Sequence, residues 1–285
     1  MKVGFIGAGK AGCSLGKYFS LKAKQAELEV TGYYSSIEEE ARWAAEFTAS
    51  SFFSTIEAVI AASDTIVIST PDGAIKTVWE LLKNEKIKDK IICHLSGSLS
   101  SDVFSEVERY EVYPISIHPM FAFSNKESVY EQLQQVSFTL EGNEQAVLAW
   151  KTIFSACGND AMVISKEIKT KYHAAASFLS NQVIAVLETG YELLCDCGFS
   201  EQEARKFSSV LVRNNVEQVI LDGGVQSLTG PLERGDCQTV QKHLAVLEEN
   251  QKELYKSCGR KLLYLAKQKN PKRDYSELEN ILDEK

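Results

Sequence analysis

The sequence is short of what several classes of partner require. It has no long basic run, and 31 Lys and Arg against 39 Asp and Glu leave a formal charge of -8. Little is available to neutralise a phosphate backbone, so nucleic acid is not an expected partner. No apolar stretch approaches the ~18 residues that cross a bilayer. The opening Met1 to Ile6 runs into a glycine turn instead of a secretory cleavage site. The expectation is a cytoplasmic chain with no membrane partner. Seven cysteines, an odd set without any C-x-x-C pair, fit neither a disulfide framework nor a structural zinc site. Reduced thiols are expected; Cys195-Asp196-Cys197 suits a soft metal or a helix end carrying two buried thiols, and the second reading, with no metal, is the expectation. There is no internal repeat and no Pro/Gly/Ser-rich linker.

What is present suits an ordinary globular protein. A 44% hydrophobic, 25% charged composition argues against disorder, and 285 residues suggest two domains. Apolar runs rich in β-branched residues occur at Lys2–Ile6, Leu28–Tyr34, Thr65–Thr70, Lys90–Leu95, Val112–Ile117, Val136–Leu140 and Ala161–Ser165. Helical periodicity fills most of the gaps, and this alternation predicts an α/β domain with a mainly parallel sheet covered on both faces. Ser36 with Glu39 fits a capping box for a helix Ile37–Phe47. Past Ser165 the strand signals stop. Three long segments, Glu167–Cys195, Glu201–Leu221 and Cys237 to about Lys269, read as helices, and the tail from Pro271 as a terminal helix or frayed end. The domains are therefore placed at 1–165 and 166–285.

The first chemical signal is Gly7-Ala8-Gly9-Lys10-Ala11-Gly12, following a strand and opening a helix. In that context G-x-G-x-x-G signifies dinucleotide binding. Gly7 permits the sharp turn, Gly9 lets backbone approach a pyrophosphate, Gly12 allows close helix–strand packing, and the helix N-terminus supplies amide donors. The second strand ends in Tyr33-Tyr34-Ser35-Ser36, without the acid that binds the ribose of NAD. Ser35 and Ser36 either leave room for the 2′-phosphate of NADP, with Arg42 the nearest guanidinium, or serve only as caps. Glu38, Glu39 and Glu40 oppose a phosphate there. NADP is the favoured cofactor and NAD remains possible.

Ligands of open α/β sheets bind beyond the carboxyl ends of the strands. Three consecutive ends carry polar residues: Thr70-Pro71-Asp72, Ser96-Gly97-Ser98 and His118-Pro119-Met120. Thr70, Pro71 and Asp72 join the cofactor set. His118 suits proton transfer accompanying hydride transfer, because imidazole titrates near neutral pH. Ser96 is its expected polar neighbour, whereas His94 reads as core. In Lys169-Thr170-Lys171-Tyr172-His173, residues 169 and 173 lie one helical turn apart, with Ser180 near the same line and Asn181 offset. This stripe either positions a substrate carboxylate or carbonyl, or consists of solvated lysines and a self-satisfied His173 and Asn181. Thr229-Gly230-Pro231-Leu232-Glu233-Arg234-Gly235-Asp236 makes a stiff turn with Asp236 as an N-cap. Arg234 either grips a carboxylate or crosses a subunit interface.

Taken together, the glycine turn, Ser69-Thr70-Pro71-Asp72, Ser96-Gly97, His118-Pro119-Met120, Lys169-x-x-Tyr-His-Ala-Ala-Ala with Ser180-Asn181, and Thr-Gly-Pro-x-x-Arg-Gly-Asp resemble the Rossmann-like NADP oxidoreductase family whose helical C-terminal domain is of unknown function. The resemblance spans nearly the whole chain. It implies a doubly wound Rossmann sheet followed by an all-helical domain that dimerises, and kinship with pyrroline-5-carboxylate reductase, prephenate dehydrogenase, ketopantoate reductase and 3-hydroxyacid dehydrogenases. The His-Pro-Met segment is similar to the one carrying the proton-transfer histidine of prephenate dehydrogenases, and Lys169 matches the place of the catalytic lysine of hydroxyacid dehydrogenases. Where the family often has Ser-Arg after the second strand, this chain has Ser35-Ser36.

The expected function is an NAD(P)-dependent oxidoreductase acting on a small polar, carboxylate-bearing substrate. His118, Lys169 and Ser96 are the catalytic candidates, and His173, Asn181 and Arg234 the substrate contacts. The contrasting expectation is a sensor or scaffold that binds a dinucleotide without turnover. A deazaflavin-linked NADP oxidoreductase is a third possibility.

Overall fold

A computed structural model describes residues 1–283. The chain divides into two compact units, Met1–Ser180 and a second beginning at Asn181.

The first unit is built on eight strands: β1 (Lys2–Ile6), β2 (Glu29–Tyr34), β3 (Ser51–Phe52), β4 (Thr65–Ile68), β5 (Ile91–His94), β6 (Tyr113–Pro119), β7 (Phe138–Gly142) and β8 (Ala161–Val163). They form one sheet in the order β3-β2-β1-β4-β5-β6-β7-β8. Neighbours are parallel except β6 and β7, which run antiparallel. The helices of this unit are α1 (Lys10–Ala26), α2 (Glu38–Thr48), α3 (Ile56–Ala62), α4 (Asp72–Leu82), α5 (Val107–Tyr110), α6 (Glu144–Cys157) and α7 (Lys169–Leu179). From β1 the chain winds outward through β2 and β3, then returns to place β4 on β1's other side. That reversal opens a crevice at the strands' carboxyl ends.

Strand alternation divides the core between the two faces of the sheet. Val67 joins Phe5, Cys93 and Ile115 on one face, where Phe19, Trp150 and Phe154 pack. Ile66 and Ile68 join Ile6 and Ile92 on the other, against Trp79 and Phe104. The doubly wound, mainly parallel sheet is thus as expected.

Several local expectations are corrected. The two-residue β3 is too short to leave a hydrophobic pattern. Ser36 does not cap α2: the N-cap is Ile37, without a side-chain hydrogen bond, and Ser35 Oγ accepts from the Ile37 amide at 3.2 Å. The segment Glu167–Cys195 is not one helix. A 3-10 turn at Lys166–Ile168 leads into α7, and Ser180 (φ -126°, ψ -79°) separates α7 from the next helix. The first compact unit, which runs to Ser180, includes α7. The physical reason is Lys169, whose side chain is buried in the sheet unit and ties α7 to it.

The second unit contains α8 (Asn181–Asp196), α9 (Glu201–Ser227), α10 (Pro231–Arg234), α11 (Cys237–Val246), α12 (Glu249–Lys269) and α13 (Ser276–Asp283). Cys237–Lys269 is two helices, because Leu247 adopts an extended conformation and Glu248 opens α12 with a capping box. Helix α9 runs past Leu221 to Ser227, with a non-helical Gly223 inside it. Asp236 caps α11 as expected, accepting from the Thr239 amide at 3.0 Å. The tail forms a docked helix: Leu278, Ile281 and Leu282 of α13 pack with Leu232, Val240, Leu263 and Tyr275. Cys195 is only half-buried and Cys197 is exposed, so the pair is not the buried thiol couple expected. Among the described residues no helix is long and apolar enough to cross a membrane, and no group of three or more His, Cys, Asp or Glu is placed to hold a metal.

Candidate functional site

The glycine turn takes the conformation its residues allow. Gly7 has φ 106°, a left-handed value that favours glycine, and its amide donates to Tyr34 O at 2.8 Å. A methyl at Gly12 would meet Ser69 Oγ at 2.4 Å, so only glycine lets α1 approach β4 this closely. Ser69 Oγ in turn donates to Gly7 O at 2.9 Å. Gly9, by contrast, has nothing nearer than 4.0 Å to a would-be Cβ and lies open. It is the N-cap of α1 and offers no side-chain cap, and the first turn of α1 contains no acid. The amides of that turn, including those of Lys10 and Ala11, lack intrahelical acceptors and face an anion favourably.

In front of this turn is a cavity of about 630 Å³, lined by Ala8, Gly9, Lys10, Glu40 and the segment Ser124–Ser128. Lys126 in that segment lies 4.3 Å above the Trp43 ring. Thr70 Oγ1, at the end of β4, is buried without a hydrogen-bond partner. An open glycine amide, an uncapped helix start and an orphaned hydroxyl fit a diphosphate-bearing ligand. Arg42 is held elsewhere: its Nε donates to Glu38 Oε1 at 2.7 Å, and its guanidinium stacks 4.0 Å over Phe52.

The polar strand ends converge next to this. Asp72, in the first turn of α4, accepts from Ser96 Oγ at 2.6 Å and Ser98 Oγ at 3.1 Å. His94 is core, as expected, and braces the same loop. Its Nδ1 accepts from the Ser96 amide at 3.2 Å, which leaves Nε2 to donate to Ser100 O at 3.2 Å. The ring is buried, and desolvation pushes its pKa down to about 4.

Lys169 is almost sealed from water at 1% exposure. Its Nζ donates to Ser116 Oγ at 2.6 Å and to Ser96 O at 3.2 Å. Desolvation lowers its pKa, opposed by the charges of Glu141 and Asp72. The solvated alternative for Lys169 is therefore overturned, since the chain folds its ammonium under β5 and β6. Glu141 faces Ser116 across the β6–β7 pair and is itself buried, accepting from Ser101 N and Oγ, both at 2.8 Å.

His118 has a different neighbour from the expected Ser96, whose hydroxyl is committed to Asp72. Its Nδ1 lies 2.7 Å from the Tyr172 hydroxyl. The His118 and His173 rings stand nearly perpendicular at 5.9 Å. A methyl on Gly97 would lie 2.6 Å from His173 Nδ1 and 2.7 Å from His118 Nε2. Both rings thus pack against Gly97 in the space that a side chain at 97 would occupy. Desolvation lowers the His118 pKa to about 4, assisted by Lys169 and His173 and opposed by Asp72.

Structure therefore joins His118, His173, Lys169, Ser96 and Asp72 within one unit. Asn181, the first residue of α8, and Arg234, exposed at the end of α10, belong to the other. Sequence reasoning missed Tyr172, Ser116, Glu141 and the Lys126 segment. Two signals were available: Ser116 shares a face of β6 with His118 by alternation, and Glu141 is an acid inside an apolar strand.

With this geometry described, comparison with known proteins is informative. The model of a Rossmann-like domain matches residues 1–119. The chain carries a Rossmann-like domain. A second model, a domain of unknown function designated DUF2520, matches residues 136–262. No curated protein matches the chain. Among solved structures, it is similar to protein TM1727 from Thermotoga maritima (28% identity, 93% of this chain and 98% of that one, TM-score 0.71). It is also similar to a variant imine reductase from Myxococcus stipitatus in complex with NAD+ (17%, 99% and 99%, 0.62). A third is the Plasmodium falciparum pyrroline carboxylate reductase with NADP bound (16%, 94% and 96%, 0.56). At such identities the two reductases establish that the Rossmann-like domain and the helices after it form a shared fold.

Two outcomes follow. Gly97→Ala must displace the His118 or His173 ring, and is expected to change the imidazole NMR signals of both while leaving the far-UV circular dichroism of the Rossmann-like domain intact; unchanged imidazole signals would contradict the geometry. His94 and His118 sit near 4 when folded and ~6.5 when unfolded. Between those values the unfolded chain binds more protons, so stability is lost as pH falls through that window. The urea midpoint should drop between pH 7 and pH 4.5, with a shallower dependence in His118→Asn.

Proposed function

We propose that the protein is an NAD(P)-dependent oxidoreductase that reduces or regenerates a small carbonyl or imine compound bearing a carboxylate. The observation that carries this reading is the order β1-β4-β5-β6. It sets the open glycine turn, Thr70 and Asp72, the Ser96 loop and His118 on four successive strand ends, ~15 Å across at ~4.8 Å per strand. The reductase names of the NAD+-bound and NADP-bound relatives support the same class.

The dinucleotide, when bound, supplies the hydride. The amides after Gly9 hold its diphosphate, and Thr70 Oγ1 gains a partner there. His118 moves the proton. Lys169 holds the Ser96 and Ser116 groups in place and presents positive charge to a developing anion, its lowered pKa making proton loss easier. His173 stands beside His118 on α7. NADP is the first candidate because Ser35 and Ser36 are small; Glu40 beside the cavity and the engagement of Arg42 by Glu38 favour NAD.

Trp43 reports on the cavity through Lys126, so titration with NADPH and NADH should quench its emission saturably and rank the two. With a bound dinucleotide, a panel of keto acids, imino acids and semialdehydes should include a compound that oxidises it. The double variant His118→Leu/Lys169→Met should lose ~10²-fold or more in turnover while dinucleotide affinity stays within about threefold. Undiminished turnover refutes the assignment, and binding without turnover of any compound makes the protein a sensor.

We also propose a homodimer formed through the helical unit. Of the 27 residues of α9 only Ala204 is buried, and α8 buries none. Phe207, Leu211, Ile220 and Leu221 are 66–77% exposed, and apolar side chains gathered on exposed helices mark an interaction face. Light scattering on the eluting protein should give twice 31.7 kDa, and Leu211→Lys/Ile220→Lys should give the single value.

A further inference from the structure

His118 has two ring nitrogens, and its use depends on which one carries hydrogen at neutral pH. We infer that Tyr172 donates its hydroxyl hydrogen to Nδ1 of His118 and so holds the imidazole in the form protonated on Nε2, the nitrogen beside Gly97. Tyr172 is a positioning residue in this scheme: it acts through His118, and its bearing on catalysis rests on the proton-transfer reading given above.

The inference comes from how one hydroxyl hydrogen is shared. Tyr172 Oη has two acceptors within reach, His118 Nδ1 at 2.7 Å and Met120 Sδ at 3.9 Å. A thioether is a weak acceptor, whereas a neutral imidazole nitrogen is a strong one and is here the closer. If the ring instead donated from Nδ1, the phenol hydrogen would be left with Met120 and a strong bond exchanged for a weak one.

The ionisation states agree with the geometry. Burial, assisted by the charges of Lys169 and His173 and opposed by that of Asp72, keeps the His118 ring neutral near pH 7. Desolvation pushes the Tyr172 pKa up, so the phenol retains its hydrogen. A neutral ring with Nδ1 accepting must carry its hydrogen on Nε2. That nitrogen is the one beside Gly97, where a methyl would lie 2.7 Å from Nε2. His118 is then set as a donor to an oxygen or nitrogen that gains negative charge.

Nitrogen-15 NMR of the full-length protein labelled in its four histidines, at pH 7, tests this directly, with His118→Asn identifying the signal. The expected spectrum has Nε2 protonated and Nδ1 bare but hydrogen-bonded. In Tyr172→Phe, the Nδ1 signal should move towards that of a free acceptor, the two ring forms should mix, and the titration midpoint should rise from about 4, because the donor that stabilised the neutral ring is gone. Unaltered quenching of Trp43 by NADPH in that variant shows the fold is kept. A wild-type ring protonated on Nδ1 overturns the inference without any variant, and so does a Tyr172→Phe ring identical to wild type. The ring form is read on the protein alone, so failure of every compound in the panel would remove the oxidoreductase reading and leave this one standing.

Discussion

A cation nearly out of reach of water governs the arrangement of the first unit. Removing an ammonium from solvent is costly unless its donors are satisfied and opposite charge is near. Lys169 meets both conditions through Ser96 O, Ser116 Oγ, and the charges of Glu141 and Asp72. Those contacts span strands β6 and β7, the loop after β5 and the start of α4. They fix where α7 begins, and the start of α7 sets where Tyr172 and His173 fall, three and four residues further on. The pairing of His118 with Tyr172 is downstream of that buried charge.

The same constraint explains what the sequence disclosed and what it did not. The glycine turn was legible because its requirements are local: a left-handed Gly7, an open Gly9 and a Gly12 with no space for a methyl. His118 was legible as a polar residue at a strand's end. Its partner was not, because whether Ser96 or Tyr172 meets Nδ1 depends on long-range packing. Ser96 lies in the nearby loop but is drawn to Asp72. Nothing in Lys169-Thr170-Lys171 distinguishes a buried lysine from a solvated one, and the deciding residues are Ser116 and Glu141 on other strands. Helix breaks at Ser180 and Leu247 escaped for a similar reason, since neither is marked by proline or glycine. Arg42, four residues after Glu38, shows the reverse: their ion pair follows from helical spacing alone.

The two units bury their apolar surface differently. In the first, alternating strand residues divide between two well-filled faces, and long aromatic side chains such as Trp79, Trp150 and Phe154 are almost wholly enclosed. In the second, the packed core gathers around α10 to α13, while α8 and the long α9 contribute almost nothing to it. A helix of that length is not held by propensity alone in water.

Gly97 also fixes how closely the two imidazoles approach the loop after β5. Any side chain there would collide with a nitrogen of each ring, so moving one ring aside leaves the other still in the way. The loop and both rings must then change together or not at all, and a residue with no chemistry of its own restrains two that have it.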